Sequence, residues 1–237
     1  MGESLGIRRN WPIVSLMIAA LVWMTLDQAG FGRLLGFLLP DETTLLYERE
    51  TLATLMGQHL VLAGVSGALA LVIGVALGLM LITPAGASFR DLVVSIANFG
   101  QTFPSIAVMA LLVPIMGYGW KPVVVALVIY SVLPVMLNVV AGIENVPPAM
   151  VDAAQGTGMN ARQRFLAVQL PLAMPIILGG VKNMLVIAVG AATLGAIVGA
   201  GGLGVPIMAG ANQFKPALVL EGAIPSAFLA LIIDRTL

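Results

Sequence analysis

Charge is absent from most of this sequence, and the places where it is absent dictate the fold. The runs Asn10–Leu26, Thr51–Phe89, Leu92–Trp120, Pro122–Ile143, Phe165–Val181, Asn183–Phe214 and Gly222–Ile233 contain no Asp, Glu, Lys or Arg. A helix needs roughly 20 apolar residues to cross a bilayer. Lipid also requires every backbone donor to be satisfied within the protein, which a helix does for itself. Six spanning helices are therefore predicted, near 11–30, 57–82, 92–116, 122–143, 172–198 and 217–234. Only 9% of the 237 residues are charged, against about 25% in water-soluble domains. There are no cysteines and one histidine, so neither a thiolate nor a His-rich metal site is expected. Net charge is zero, which leaves no basic footprint for nucleic acid.

The chain reads as one membrane unit, with an anchor helix and an acidic outer loop over 1–55 and the transmembrane domain over 56–237. Arg8 and Arg9 before the first apolar run also fit a signal peptide. Asp27 and Gln28 follow that run without a small-x-small cleavage site, so a retained anchor is expected. Six crossings place both termini on the inner side with Arg8, Arg9, Arg90, Arg162, Arg164 and Arg235. Arg33, Arg49, Lys121 and Lys215 then fall outside, as do Asp41, Glu42, Glu48 and Glu50.

Within the spans, Gly74/Gly78 and Gly195/Gly199 form small-xxx-small pairs, which let helix backbones approach closely in lipid. Pro104, Pro114, Pro134 and Pro225 each remove a backbone donor and can kink a helix. Lys182 within the fifth span is read either as snorkelling to the inner interface or as a contact to the inner loop or a partner subunit. Glu221 and His59 are expected at the outer interface. Trp120 and Tyr118 fit an interfacial aromatic belt. Gln101, Phe103, Asn138 and Asn183 are candidates to line a pathway, or to bond between helices.

The longest inner loop begins at Glu144 and runs to about Leu170. Asn145 is expected to cap a first short helix that Pro147 and Pro148 open and that Gly156 and Gly158 end. Asn160 and Gln163 have the spacing of a capping box for a second short helix, and Pro171 and Pro175 mark entry to the fifth span. Such a short, small-faced helix fits a partner's groove, or serves as an amphipathic connector.

Asp152-Ala153-Ala154, three residues, Gly158, nine residues and Val168-Gln169-Leu170-Pro171 resemble the EAA loop of bacterial ABC importer permeases, with Asp for Glu and Val for Ile. Gln101-Thr102-Phe103-Pro104-Ser105, Tyr130-Ser131-Val132-Leu133-Pro134, and Ala192-Thr193-Leu194 with Val198 to Gly204 are similar to the permeases of osmoprotectant importers for glycine betaine, carnitine or choline. Within that group the likeness is to the short, YehW-like branch. The resemblance implies an all-α membrane protein of the type I, MetI-like permease fold in a bacterial inner membrane.

Several further expectations rest on that resemblance. The stretch 144–171 would be a coupling loop in which Asp152, Ala153, Ala154, Gly158, Leu170 and Pro171 meet an ATPase subunit. ATP and Mg would reside on that subunit, since this chain has no Walker A pattern. A second permease subunit, identical or a sister, and a periplasmic solute-binding protein would complete the machine. High-affinity recognition would lie in the binding protein, and no aromatic cage is evident along the sequence. Gly199, Gly201 and Gly204 match a dinucleotide pattern but end a membrane helix, so together with Gly202 they are expected to form a gate or a packing turn. An ABC permease for an amino acid or other small solute is an alternative, and so is a secondary transporter. The absence of an internal repeat and the scarcity of intramembrane charge weigh against the secondary transporter.

Overall fold

The computed structural model describes residues 3–237, with side chains from Trp11 onward, so Arg8 and Arg9 lie outside the described side chains. Among the described residues all regular structure is helical, with no strand. The order is α1 (Glu3–Leu26), α2 (Gln28–Leu38), α3 (Leu52–Leu81), α4 (Pro84–Ala87), α5 (Arg90–Thr102) and α6 (Ser105–Met116). There follow α7 (Trp120–Glu144), α8 (Pro148–Gly156), α9 (Ala161–Arg164), α10 (Leu170–Ala192), α11 (Gly204–Gln213) and α12 (Pro216–Thr236).

The centre is α3, α7 and α10. Gly74 and Gly78 put α3 directly on α7: a Cβ on Gly74 would sit 2.7 Å from Val135 Cβ, and one on Gly78 would sit 2.7 Å from Val139 Cβ. Both numbers rise together, so the two helices run parallel. Gly142 faces Ala173 and Ile177 while Gly180 faces Pro134 and Asn138, so α10 runs antiparallel to α7. Ala70, Val135, Val139, Ala173 and Met184 fill the space between them. The small-xxx-small pair in α3 thus mediates packing within this subunit.

Among the described residues four helical stretches are long and apolar enough to cross a membrane, and six when two bent pairs are each counted as one span. Both bent pairs correct the predicted spans. The first run ends at Leu26, where Asp27 turns the chain by 102° and caps α2 through Gly30 N–H at 2.9 Å. The third is broken by 93° between α5 and α6. Pro104 explains that break: it forces Phe103 into an extended conformation, φ −75° and ψ 141°, and donates no hydrogen bond. The fifth span is longer than predicted and runs helically from Ala161 to Val198, so the second short helix of the inner loop is its first turn.

Four other expectations change or gain detail. Asn145 does not cap α8; its side chain donates to Ala141 O at 2.7 Å and closes α7. Glu221 is not interfacial. It is fully buried, accepting from Tyr47 N–H at 2.7 Å and from Gln28 Nε2 at 3.4 Å. His59 is likewise buried, with Nε2 3.1 Å from Val189 O. Lys182 meets neither the inner loop nor solvent alone, but pairs with Asp234 on α12 at 2.9 Å.

Candidate coupling loop and pathway residues

The 144–171 segment lies at the end of the bundle where α3 and α7 finish and α10 begins. Arg90 and Glu144 form an ion pair there, tying the start of α5 to the end of α7. α8 opens on Pro148, whose fixed φ suits a first helical turn and whose missing N–H would have no partner there anyway. Ala154 is buried, and Val151 packs toward the core cluster. Asp152, Ala153 and Gln155 face outward.

Gly158 ends α8 for a stereochemical reason. Its φ is +84°, a region that residues with a Cβ enter at a cost of about 1–2 kcal/mol. Gly158 N–H donates to Gln155 O at 2.9 Å and Met159 N–H donates to Ala154 O at 3.3 Å. That pair of bonds is a Schellman closure, which satisfies the last carbonyls of the helix. A Cβ on Gly158 would meet nothing within 4 Å, so the constraint is conformational and not steric.

The chain then re-enters helix through the Asn160–Gln163 capping box, each side chain accepting from the other residue's backbone N–H at 2.9 Å. Arg164 donates to Met159 O at 3.0 Å and braces the turn. Pro171 cannot donate to the carbonyl four residues back. Just before it the helix widens: Leu170 N–H reaches five residues back to Phe165 O, giving a π-helical turn over Phe165–Gln169. Leu170 packs against the core cluster, and Pro171 lies exposed at the start of α10. The two blocks of the loop therefore divide. Asp152, Ala153 and Gly158 present a surface, while Ala154 and Leu170 fasten it to the bundle. An open groove of about 610 Å³ beside it is lined by Met159, Asn160, Arg162, Gln163, Leu166 and Ala167.

The four pathway candidates do not converge on one point. Gln101 Nε2 donates to Tyr130 O at 2.8 Å, and Tyr130 Oη donates to Phe103 O. These two bonds clamp the α5–α6 break onto α7. Asn138 donates to Pro134 O at 2.8 Å within its own helix and covers Gly180, and Asn183 is exposed on α10. Sequence reasoning missed Tyr130 in this cluster. The signal was present: a proline leaves the carbonyl four residues earlier without its helical partner, and for Pro134 that residue is Tyr130.

At the opposite end, Gly199 N–H donates to Ala196 O at 3.1 Å and Ala200 N–H to Gly195 O at 3.0 Å, so a second Schellman closure ends the fifth span. Gly202 N–H donates to Gln58 Oε1 at 2.8 Å, and Gln58 Nε2 donates to Glu50 Oε2 at 2.8 Å. Gly199, Gly201, Gly202 and Gly204 thus make a turn held to the start of α3.

With this geometry in place, comparison with known proteins is direct. The family described as "Binding-protein-dependent transport system inner membrane component" matches residues 53–236. The chain is 37% identical over 184 residues to the glycine betaine/carnitine/choline transport system permease protein OpuCB of Bacillus subtilis, covering 76% of this chain and 82% of that protein. It is 38% identical over 228 residues to the osmoprotectant import permease protein OsmY of Salmonella typhimurium, covering 95% of this chain and 89% of OsmY. An inward-facing structure of the MetNI methionine ABC transporter shares the fold at a TM-score of 0.68 and 23% identity, over 77% of this chain and 91% of that one. The chain belongs to the family of binding-protein-dependent transport system inner membrane components, the permease subunits of ABC importers.

Proposed function

We propose that this permease carries osmoprotectants, small quaternary ammonium solutes such as glycine betaine, carnitine or choline, inward across a bacterial cytoplasmic membrane by alternating access. The relatives at 37% and 38% identity are permeases for such solutes, and this supports the substrate class. In this reading the end bearing α8 and both termini faces the cytoplasm, and the Gly199–Gly204 turn faces the periplasm. Asp152, Ala153 and Gly158 form the surface on which an ATPase subunit docks, and Ala154, Leu170 and Pro171 position it. ATP and Mg reside on that subunit. A second permease subunit and a periplasmic binding protein complete the importer.

The observation that carries the coupling role is the outward face of α8, closed by the turn at Gly158 and fastened through Ala154 to the core of the bundle. A helix held in this way transmits a push from a partner to α7 and α10 instead of absorbing it. Coupling requires that the partner contact α8 differently in its two states. The test of the substrate class is uptake by proteoliposomes holding the complete complex. ATP-dependent accumulation of labelled glycine betaine, carnitine or choline is expected. Accumulation of methionine with none of the three quaternary amines would overturn the assignment.

A further inference from the structure

Over its 13 residues α5 buries none of its side chains, and its surface divides lengthwise into three faces. Val93, Val94 and Ala97 pack toward α7. Asp91, Ser95, Asn98 and Thr102 recur at intervals of four, three and four, so they form one stripe along the helix, and all four are exposed. Beside it Leu92, Ile96, Phe99 and Phe103 form an apolar stripe. Phe99 and Phe103 are 64% and 41% exposed, and their rings stand at 86° with centroids 5.1 Å apart.

A polar stripe cannot face acyl chains without penalty. Polar side chains within a membrane turn toward protein or a water-filled cavity. Thr102 is satisfied by its own helix through Phe99 O, but Asp91, Ser95 and Asn98 make no side-chain hydrogen bond among the described residues. The charge on this face has one sign. Asp91 is exposed, whereas the neighbouring cation, Arg90, is paired with Glu144. Water and a solute bearing a cationic group fit such a face. The perpendicular phenyl rings stand at the α5–α6 break, where one stripe meets the other, and aromatic ring faces attract quaternary ammonium groups.

We infer that the polar stripe of α5 lines the solute path, and that Asn98, Phe99, Thr102 and Phe103 form a transient site along it for a quaternary ammonium group. The site rests on the osmoprotectant reading above. The opposite wall of the path comes from the second permease subunit.

The chain contains no cysteine, which permits a direct test in the complete complex in proteoliposomes. Single Ser95→Cys, Asn98→Cys and Thr102→Cys variants are exposed to a membrane-impermeant methanethiosulfonate bearing a trimethylammonium group. Ile115→Cys on the exposed apolar surface of α6 serves as the lipid-facing comparison. The three stripe variants are expected to react, more slowly when glycine betaine is present, and Ile115→Cys is expected not to. Stripe cysteines that resist this reagent yet react with a lipid-soluble maleimide would overturn the assignment.

A second readout tests the aromatic pair. Phe103→Leu keeps the backbone carbonyl that Tyr130 uses and removes the ring. Its KM for glycine betaine uptake is expected to rise roughly tenfold, with recovery in Phe103→Tyr. An unchanged KM would remove the aromatic pair from the site. Uptake by the unsubstituted complex separates the two layers. If it imports glycine betaine while the stripe cysteines stay inert, the α5 assignment alone fails. If it imports no quaternary amine, the osmoprotectant reading fails and the ligand assignment falls with it.

Discussion

Gln101 supplies the hydrogen bond that Pro134 withholds. Within α7 the carbonyl of Tyr130 would ordinarily accept from the residue four positions later, but that residue is a proline. The Gln101 amide reaches across from α5 and donates to it at 2.8 Å. The Tyr130 hydroxyl returns a bond to Phe103 O, at the break between α5 and α6.

This relationship makes a reciprocal prediction. Gln101→Leu leaves the Tyr130 carbonyl unpaired and is expected to cost about 1–2 kcal/mol. Pro134→Ala restores the helix's own donor, so the double variant should recover much of that loss. The melting midpoints of the four proteins in detergent form a double-mutant cycle that measures the coupling. Additive losses would show that the two positions act independently.

Glu221 makes a second prediction. Its buried carboxylate holds the backbone of Tyr47, 174 residues away in sequence, and so pins the acidic 39–51 segment to α12. Glu221→Leu strands the Tyr47 N–H and the Gln28 amide, and a loss of about 2–3 kcal/mol is expected. Glu221→Gln keeps one oxygen acceptor and should lose less. Limited proteolysis within 39–51 reads the same event locally: cleavage should accelerate in the leucine variant and change little in the glutamine variant.

The glycines separate into two classes that substitution can tell apart. Gly74→Ala places a methyl 2.7 Å from Val135 Cβ, so α3 and α7 must move apart, at a cost of about 1–3 kcal/mol. A Cβ on Gly64, in the same helix, meets nothing within 4 Å. Gly64→Ala should therefore be neutral or should gain about 0.5–1 kcal/mol from helix propensity. Melting midpoints of the two variants should shift in opposite directions or differ clearly in size.

Much of this architecture was legible because its causes are local. Missing charges locate helices in lipid, and the Asn160–Gln163 spacing named a capping box that the structure contains. The positions that resisted reading depend on distant groups. Pro104 and Pro134 look alike in sequence, yet only Pro104 breaks its helix; the carbonyl left by Pro134 has a donor on another helix. Glu221 and His59 look interfacial because charged and polar residues near a helix end usually are. Their partners, Tyr47 N–H and Val189 O, come from elsewhere in the chain and allow burial. The polar stripe of α5 was present in sequence as a repeat of four, three and four. It gained meaning only when the helix proved to bury nothing.

The α8 turn makes the next prediction. Gly158→Ala meets open space but must adopt a φ near +84°, so the turn should loosen while the bundle stays folded. Transport-coupled ATP hydrolysis is expected to fall with the melting midpoint within several degrees of the parent, since the strain is only about 1–2 kcal/mol and is confined to an exposed loop. A large drop in the midpoint would mean that the turn serves the fold and not the coupling.

The most direct measurement is retention of the ATPase subunit by the Asp152→Lys permease during purification in mild detergent, with ATP-dependent glycine betaine uptake measured on the same preparation. Asp152 is exposed and has no side-chain partner among the described residues, so its replacement leaves the membrane domain intact. If α8 is the docking helix, reversing this charge should lower retention and uptake together, by about tenfold or more for a lost interaction of about 1.4 kcal/mol. Full retention with uptake at the native rate would show that the ATPase engages a different surface.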